Sequence, residues 1–255
     1  MAESPEHSNA PSGPQTGVVL AAGFGSRLAG TQAATDLKPL TPVAGVPLLF
    51  RTLDSLVQAG CGRAVVVLGY KPEEIRAATR ARYDGPLSVT FVRNERFGRS
   101  NGLSVLAARE AVGGQPFLLT MADHVLSGAL MNRTRAATPP PGGATLMVDR
   151  QLGRVFDMDD ATKVQLDGEG RVDAIGKTLD TYDAVDTGVF VCTPGLMDAL
   201  DAVRDETGDA ALSDGIRRLA EASKMHALDI EGAFWQDVDT PSMLAHAEEW
   251  LDVRV

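Results

Sequence analysis

Cysteine is nearly missing from this chain. Cys61 and Cys192 are the two it has, far apart and outside any CxxC or Cys/His spacing. Neither a disulfide framework nor a zinc site is therefore expected, and a reducing cytoplasm is the simplest setting. Basic residues are outnumbered, with 24 Lys and Arg against 34 Asp and Glu and a formal charge of −10. That balance argues against a nucleic-acid backbone or an anionic membrane surface as the main partner, and it makes any cation at a site a local exception. No apolar run reaches the roughly 18 to 20 residues of a spanning helix, so no direct membrane insertion is expected. Aromatic residues make up 5% and are not obviously clustered. No internal repeat or coiled-coil pattern is visible. Residues 1–16 have neither the basic start nor the apolar run of a signal peptide and are polar, with Pro and Ser; they read as a disordered tail before one domain over 17–255.

What is present is a hydrophobic fraction of 44% in 255 residues, enough to bury the core of one large domain. Apolar runs at 18–20, 64–68, 88–92 and 116–121 read as strands, and helical spacing predicts helices over 47–59, 71–82 and 101–111 between them. Strands alternating with helices at this pitch imply βαβ units, hence a mostly parallel sheet covered on both faces. After the Pro/Gly break at 139–143 the rhythm changes. Strand-like 144–148, a pair of short strands around the turn at 167–170, and a strand at 184–192 suggest antiparallel additions. Helices follow at 194–203, 211–222 and 241–251, with a strand at 225–230.

Chemistry is sought at the carboxyl ends of the strands, where open α/β sheets bind ligands. The stretch 17–40 runs from a buried strand through Leu20, Ala21, Ala22 and Gly23 to Gly25, Arg27 and Lys38. Bare backbone followed by two cations suits a polyphosphate, because exposed N–H groups and ammonium or guanidinium groups meet anionic oxygens. The same stretch would also serve as a plain βα turn. Asp123 ends an apolar strand and is placed either to hold a hard cation such as Mg²⁺ or to cap a helix starting near Ser127. Asp237 and Asp239, spaced two apart before Thr240-Pro241, are placed to hold metal or to cap the last helix. Asn101 and Ser104 open a helix whose N-terminus suits an anionic or hydroxyl-rich substrate. Lys177 follows a glycine, and Asp186 is a charge within an apolar strand, which is costly unless paired or bound to ligand.

With these residues assembled, the chain resembles the nucleotidyltransferases that join a sugar or alcohol phosphate to a nucleoside monophosphate. LAAGFGSRL resembles their signature loop, Lys38-Pro39-Leu40 their lysine, Asp123 the strand-end metal ligand, and WQDVDT the second metal-ligand region. Within that superfamily TMADH, NGLS, ATK, AIGK and VDTGVFV, in this order, look most like the CTP:inositol-1-phosphate cytidylyltransferases. The resemblance implies an α/β fold: a single Rossmann-like, mostly parallel mixed sheet with helices on both faces, of the nucleotidyltransferase or glycosyltransferase-A-like type. It also implies Mg²⁺-assisted transfer of CMP from CTP to inositol 1-phosphate, giving CDP-inositol and pyrophosphate for phospholipid precursor synthesis. Leu20, Ala21, Ala22, Gly23, Gly25, Ser26, Arg27 and Lys38 would bind nucleotide. Asn101, Ser104, Lys177, Asp186, Thr187 and Gly188 would bind acceptor, and Asp123 with Asp237 or Asp239 would hold metal. Arg27, Lys38 and Lys177 would stabilise the reacting phosphates. Such domains are often fused to a membrane CDP-alcohol phosphotransferase; here that partner is expected as a separate protein, and a homodimer is compatible. The alternatives are a related enzyme acting on phosphocholine, a phosphonate or a hexose 1-phosphate, and a catalytically idle relative that binds nucleotide.

Overall fold

Alternation within the strands divides the molecule into layers. In a computed structural model describing residues 13–25 and 37–253, β1 (Thr16–Ala21) lies parallel between β4 (Arg63–Leu68) and β6 (Phe117–Met121), and β5 (Ser88–Arg93) pairs parallel with β4. Val18, Val65 and Val67 point to one face of the sheet, whereas Val19, Val66 and Leu68 point to the other. Both sets are buried, which is why these strands read as continuous apolar runs. Below the second face lie α1 (Leu48–Gln58), α2 (Pro72–Arg82) and α5 (Gly128–Arg133). Leu49, Leu53 and Leu56 of α1 are fully buried there with Leu130, each worth about 1.5–3 kcal/mol relative to exposure. The first face is covered by α3 (Gly102–Ala107), α4 (Arg109–Val112), α6 (Gly195–Thr207) and α7 (Leu212–Glu221). The single helix predicted over 101–111 is thus two, separated where the Ala108 N–H bonds Val105 O, a tighter turn than the α-helix makes.

The second half adds β8 (Ala144–Asp149), β9 (Lys163–Leu166), β10 (Val172–Gly176), β11 (Ala184–Cys192) and β12 (Met225–Asp229). The nine-stranded sheet runs β12-β8-β11-β6-β1-β4-β5, with the β9-β10 ribbon also joined to β11. β11 is antiparallel to β6, β8 and β9, as the change of rhythm predicts. It serves β6 with residues 190–192 but β9 with residues 184–185, and its pairing with β8 breaks between Asp186 and Phe190. Gly188 occupies that break at φ 74°, a left-handed conformation that favours glycine.

Four short strands escape sequence patterning: β2 (Pro42–Val43), β3 (Val46–Pro47), β7 (His124–Leu126) and β13 (Trp235–Asp237). β7 and β13 form a separate antiparallel ladder. With α8 (Pro241–Asp252) they bury Val125, Val238 and Leu244 beside Val43 and Leu48 in a third cluster. The first strand begins at Thr16, ahead of the expected domain start at Gly17. Gln15 O accepts bonds from the Gly62 and Arg63 N–H groups, so 13–16 belong to the domain; the rest of the expected tail, 1–12, lies outside the described residues. Among the described residues no helix is long and apolar enough to cross a membrane.

Candidate active site

The carboxyl ends of β1, β4, β5 and β6 share one edge of the sheet, and the predicted carboxylates gather there. Lys38, in a single turn of 3₁₀-helix, is buried. Its Nζ lies 2.5 Å from Asp123 Oδ2 and also bonds Asp239 Oδ1. Residues separated by 85 and 201 positions therefore meet on one ammonium. The β7–β13 ladder explains how. Asp123 precedes β7 and Asp239 follows β13, with Asp237 paired to His124 and the Val238 N–H bonded to Asp123 O. The capping alternatives are excluded locally: the Ser127 hydroxyl caps α5 and the Thr240 hydroxyl caps α8.

Electrostatics follow from this packing. Burial opposes ionisation of Asp123, but the Lys38 ammonium and the bond from His124 outweigh it and hold the carboxyl below the usual range. Burial also opposes protonation of Lys38, and Asp123 and Asp239 overcome it, leaving the ammonium harder to deprotonate than usual. Asp237 differs: burial pushes its pKa up, against the pull of His124. Asp186 is likewise pushed up, to about 6, by burial that the Gly188 N–H bond and His124 only partly offset.

Two lobes meet at Asp239. The smaller, of about 350 Å³, is lined by Leu20, Ala21, Gly23, Phe24, Gly25, Lys38 and Asp123. Gly25 is at φ 64°, and a Cβ there would come within 2.4 Å of Lys38 Cβ, so the glycine lets the loop pass against the lysine. Ser26 and Arg27 lie outside the described residues. The larger lobe, of about 670 Å³, opens where β11 leaves β6 for β9, and its lining includes Asn101, His124, Asp160, Lys177, Asp186, Gly188, Asp237 and Asp239. Lys177 Nζ is paired with Asp160 Oδ1. Asp160, Asp237 and Asp239 offer oxygens within 4.8 Å of one another. An oxygen-only donor set of this kind matches a hard divalent cation.

Several assignments change. Ser104 is buried and its Oγ accepts from Asn94 Nδ2 at 2.9 Å, and Thr187 is fully buried and donates to Met147 O at 2.7 Å. Both are held by protein partners and neither lines the larger lobe. Asn101 lines it, but its Oδ1 accepts from the Leu212 N–H and so also anchors α7. Ala22 is buried, with its carbonyl bonded to the Tyr70 N–H. Phe156, Phe234 and Trp250, scattered in sequence, converge with His246 on the wall of the larger lobe. Phe156 stacks on His246 at 4.4 Å and Phe234 on Trp250 at 4.0 Å. Only the i, i+4 spacing of His246 and Trp250 hinted at this. Asp160 also went unread; its signal was the acidic run 157–160 just before the ATK segment.

A family profile, the MobA-like NTP transferase domain, matches residues 17–224. The bifunctional IPC transferase and DIPP synthase of Rubrobacter xylanophilus is 38% identical over 237 residues, 91% of this chain and 51% of that protein. The CMP-5'-(3-aminopropyl)phosphonate synthase of Streptomyces rubellomurinus is 33% identical over 239 residues, covering 89% of this chain and 37% of that one. The chain thus spans about half, or less, of the length of these curated relatives. A solved structure of the inositol-1-phosphate CTP transferase from T. maritima superposes with a TM-score of 0.78 at 23% identity, over 92% of this chain and 96% of that one. The two share a fold.

Proposed function

The chain belongs to the MobA-like NTP transferase family, and from that membership we propose that it is a cytidylyltransferase that transfers CMP from CTP to inositol 1-phosphate. The observation that carries this reading is the meeting of Asp123 and Asp239 on Lys38 at the junction of two lobes. One lobe is walled by the signature loop and the other by Lys177 and Asp186. The similarity to relatives named for IPC transfer, over nine-tenths of this chain, supports the choice of base and acceptor.

In the reaction a phosphate oxygen of the acceptor forms a bond to the α-phosphorus of CTP while the bond to pyrophosphate breaks. The attacking oxygen is already ionised at neutral pH, so no residue must remove a proton. The work left to the protein is to bring two anions together and to neutralise charge. Lys38 attends the α-phosphate and Lys177 draws in the acceptor phosphate. Asp123 and Asp239, which already converge on the Lys38 ammonium, would hold Mg²⁺, with Asp237 at hand beside Asp239, and the ion would supply positive charge to the phosphates. Cys61 and Cys192 are buried free thiols, which supports a reducing, cytoplasmic setting. CDP-inositol, as an activated alcohol, suits consumption by a CDP-alcohol phosphotransferase that makes phospholipid precursors.

One observation favours a second acceptor class. Carboxylates opposite an aromatic wall are the usual receptors of an ammonium group, and the relative at 33% identity is named for an aminopropylphosphonate. A matrix of four NTPs against inositol 1-phosphate, phosphocholine, 3-aminopropylphosphonate and glucose 1-phosphate, read by pyrophosphate release, decides. CTP with inositol 1-phosphate should give the highest kcat/KM; a better rate with the amine would transfer the assignment, and no release from any pair would leave a nucleotide-binding module.

A further inference from the structure

His124 sits where the two lobes touch, and neither phosphate contact described above uses it. Its side chain is 11% exposed, and its residue opposes Asp237 across the β7–β13 ladder. Nδ1 lies 2.8 Å from Asp123 Oδ1, the oxygen that Lys38 leaves free by bonding Oδ2. The opposite edge of the ring faces β11. A Cβ built on Gly188 would stand 2.5 Å from Nε2 and 2.9 Å from Cδ2. The imidazole therefore rests on the bare Cα of the glycine that breaks the β11 register. Asp123 lines the nucleotide lobe, whereas His124 and Gly188 line the acceptor lobe.

We propose that His124 is a positioning residue that ties the two lobes together, holding the Asp123 carboxylate through Nδ1 while its far edge, seated on Gly188, forms part of the acceptor floor. The physics is simple. A carboxylate bonded on one oxygen still swivels about its terminal torsion, and bonds on both oxygens fix it. An imidazole is rigid and planar, so a push on its Nε2 edge is delivered at Nδ1. Partners that hydrogen-bond a metal-ligating group typically account for about 10- to 100-fold in metal affinity or activity. The inference rests on the proposed role of Asp123 as a metal ligand.

The experiment is a titration of Mn²⁺, standing in for Mg²⁺, into protein with CTP, followed by electron paramagnetic resonance and paired with pyrophosphate-release kinetics. His124→Asn keeps a nitrogen near the place of Nδ1, so Mn²⁺ affinity and kcat should stay close to wild type while the acceptor KM rises. His124→Gln moves the nitrogen to the outer position; Mn²⁺ affinity and kcat should fall by about 10-fold or more. Gly188→Ala presses on the ring from the acceptor side and should weaken Mn²⁺ binding beyond the backbone strain of its positive φ, and by clearly less in the His124→Asn background, where the ring is gone. Equal losses in the Asn and Gln variants, matched by equal drops in melting temperature, would make His124 a packing residue and overturn the proposal. A Gly188→Ala effect as large in the His124→Asn background as in wild type would also overturn it. Asp123→Ala separates the two layers. If it binds Mn²⁺ and turns over as wild type, the metal assignment itself fails; if it is inactive while His124→Gln is normal, the assignment stands and the positioning role falls.

Discussion

Replacing Lys38 by methionine should make the stability of the fold depend on a divalent cation. The Lys38, Asp123 and Asp239 side chains are 10%, 30% and 14% exposed. Methionine keeps length and bulk but leaves two half-buried carboxylates facing each other. Removing one partner of a buried pair costs about 3–5 kcal/mol. Because Asp123 keeps some contact with water, the lower end, ~3 kcal/mol, is expected. At roughly 2–4 °C per kcal/mol for a chain of this size, melting in EDTA should fall by about 6–12 °C. The same substitution removes the ammonium that competes with metal for both carboxylates. A cation at 100 times its Kd returns about 2.7 kcal/mol, so saturating Mg²⁺ should recover most of the loss, whereas wild type, already neutralised by lysine, gains less. Turnover should stay low, by about 10²–10³-fold, because the cation beside the α-phosphate is gone. Thermal melts in EDTA and in Mg²⁺, with pyrophosphate release beside them, measure all three quantities. A Lys38→Met variant that melts with wild type in EDTA, or gains no more than wild type from Mg²⁺, would refute the idea that lysine and metal share one site.

Asp186, pushed up to about 6, is expected to hold acceptor hydroxyls best as a carboxylate, which accepts on both oxygens. The kcat/KM for acceptor should fall as pH drops through about 6, and Asp186→Asn should remove that limb. Since the folded state binds this proton more tightly than the unfolded chain, with its pKa of about 3.9, folding is favoured as pH falls from 7 toward 4. The Asn variant should accordingly melt above wild type at high pH and lose that advantage at low pH. Gly25→Ala forces a Cβ within 2.4 Å of Lys38 Cβ at a positive φ, and neither backbone-anchored atom can turn away; a displacement near 1 Å should cost about 10²-fold in turnover, read at saturating CTP. Thr240→Ala removes the hydroxyl that accepts from the Met243 N–H at 3.3 Å and should lower stability by about 1 kcal/mol in a urea titration while the folded enzyme keeps its activity.

In the parallel half of the fold β1, β4 and β6 were legible because they are buried on both faces. The run predicted at 64–68 is β4 without Arg63, and α1 is the helix predicted over 47–59 less a residue at each end. The ladder of β7 and β13 was not legible. Two or three residues are too few to show a period, and the pairing exists only in three dimensions. For the same reason the meeting of Asp239, rather than Asp237, with Lys38 was not legible; the bond from the Val238 N–H to Asp123 O brings it there. Ser104 and Thr187 were misread because a hydroxyl in a motif looks alike whether it meets a ligand or a protein partner. For Thr187 the period of two held the answer: with Asp186 and Gly188 facing the acceptor lobe, the residue between them faces away. The aromatic wall could not be seen in advance, since it is assembled from positions 156, 234, 246 and 250.

The β7–β13 ladder also sets an order of events. The nine-stranded sheet includes neither of its strands, so the sheet can assemble before Asp239 is in place. Lys38 must find a carboxylate 201 positions away, a contact of long loop closure and hence slow to form. On refolding, the return of activity is expected to lag behind the return of secondary structure.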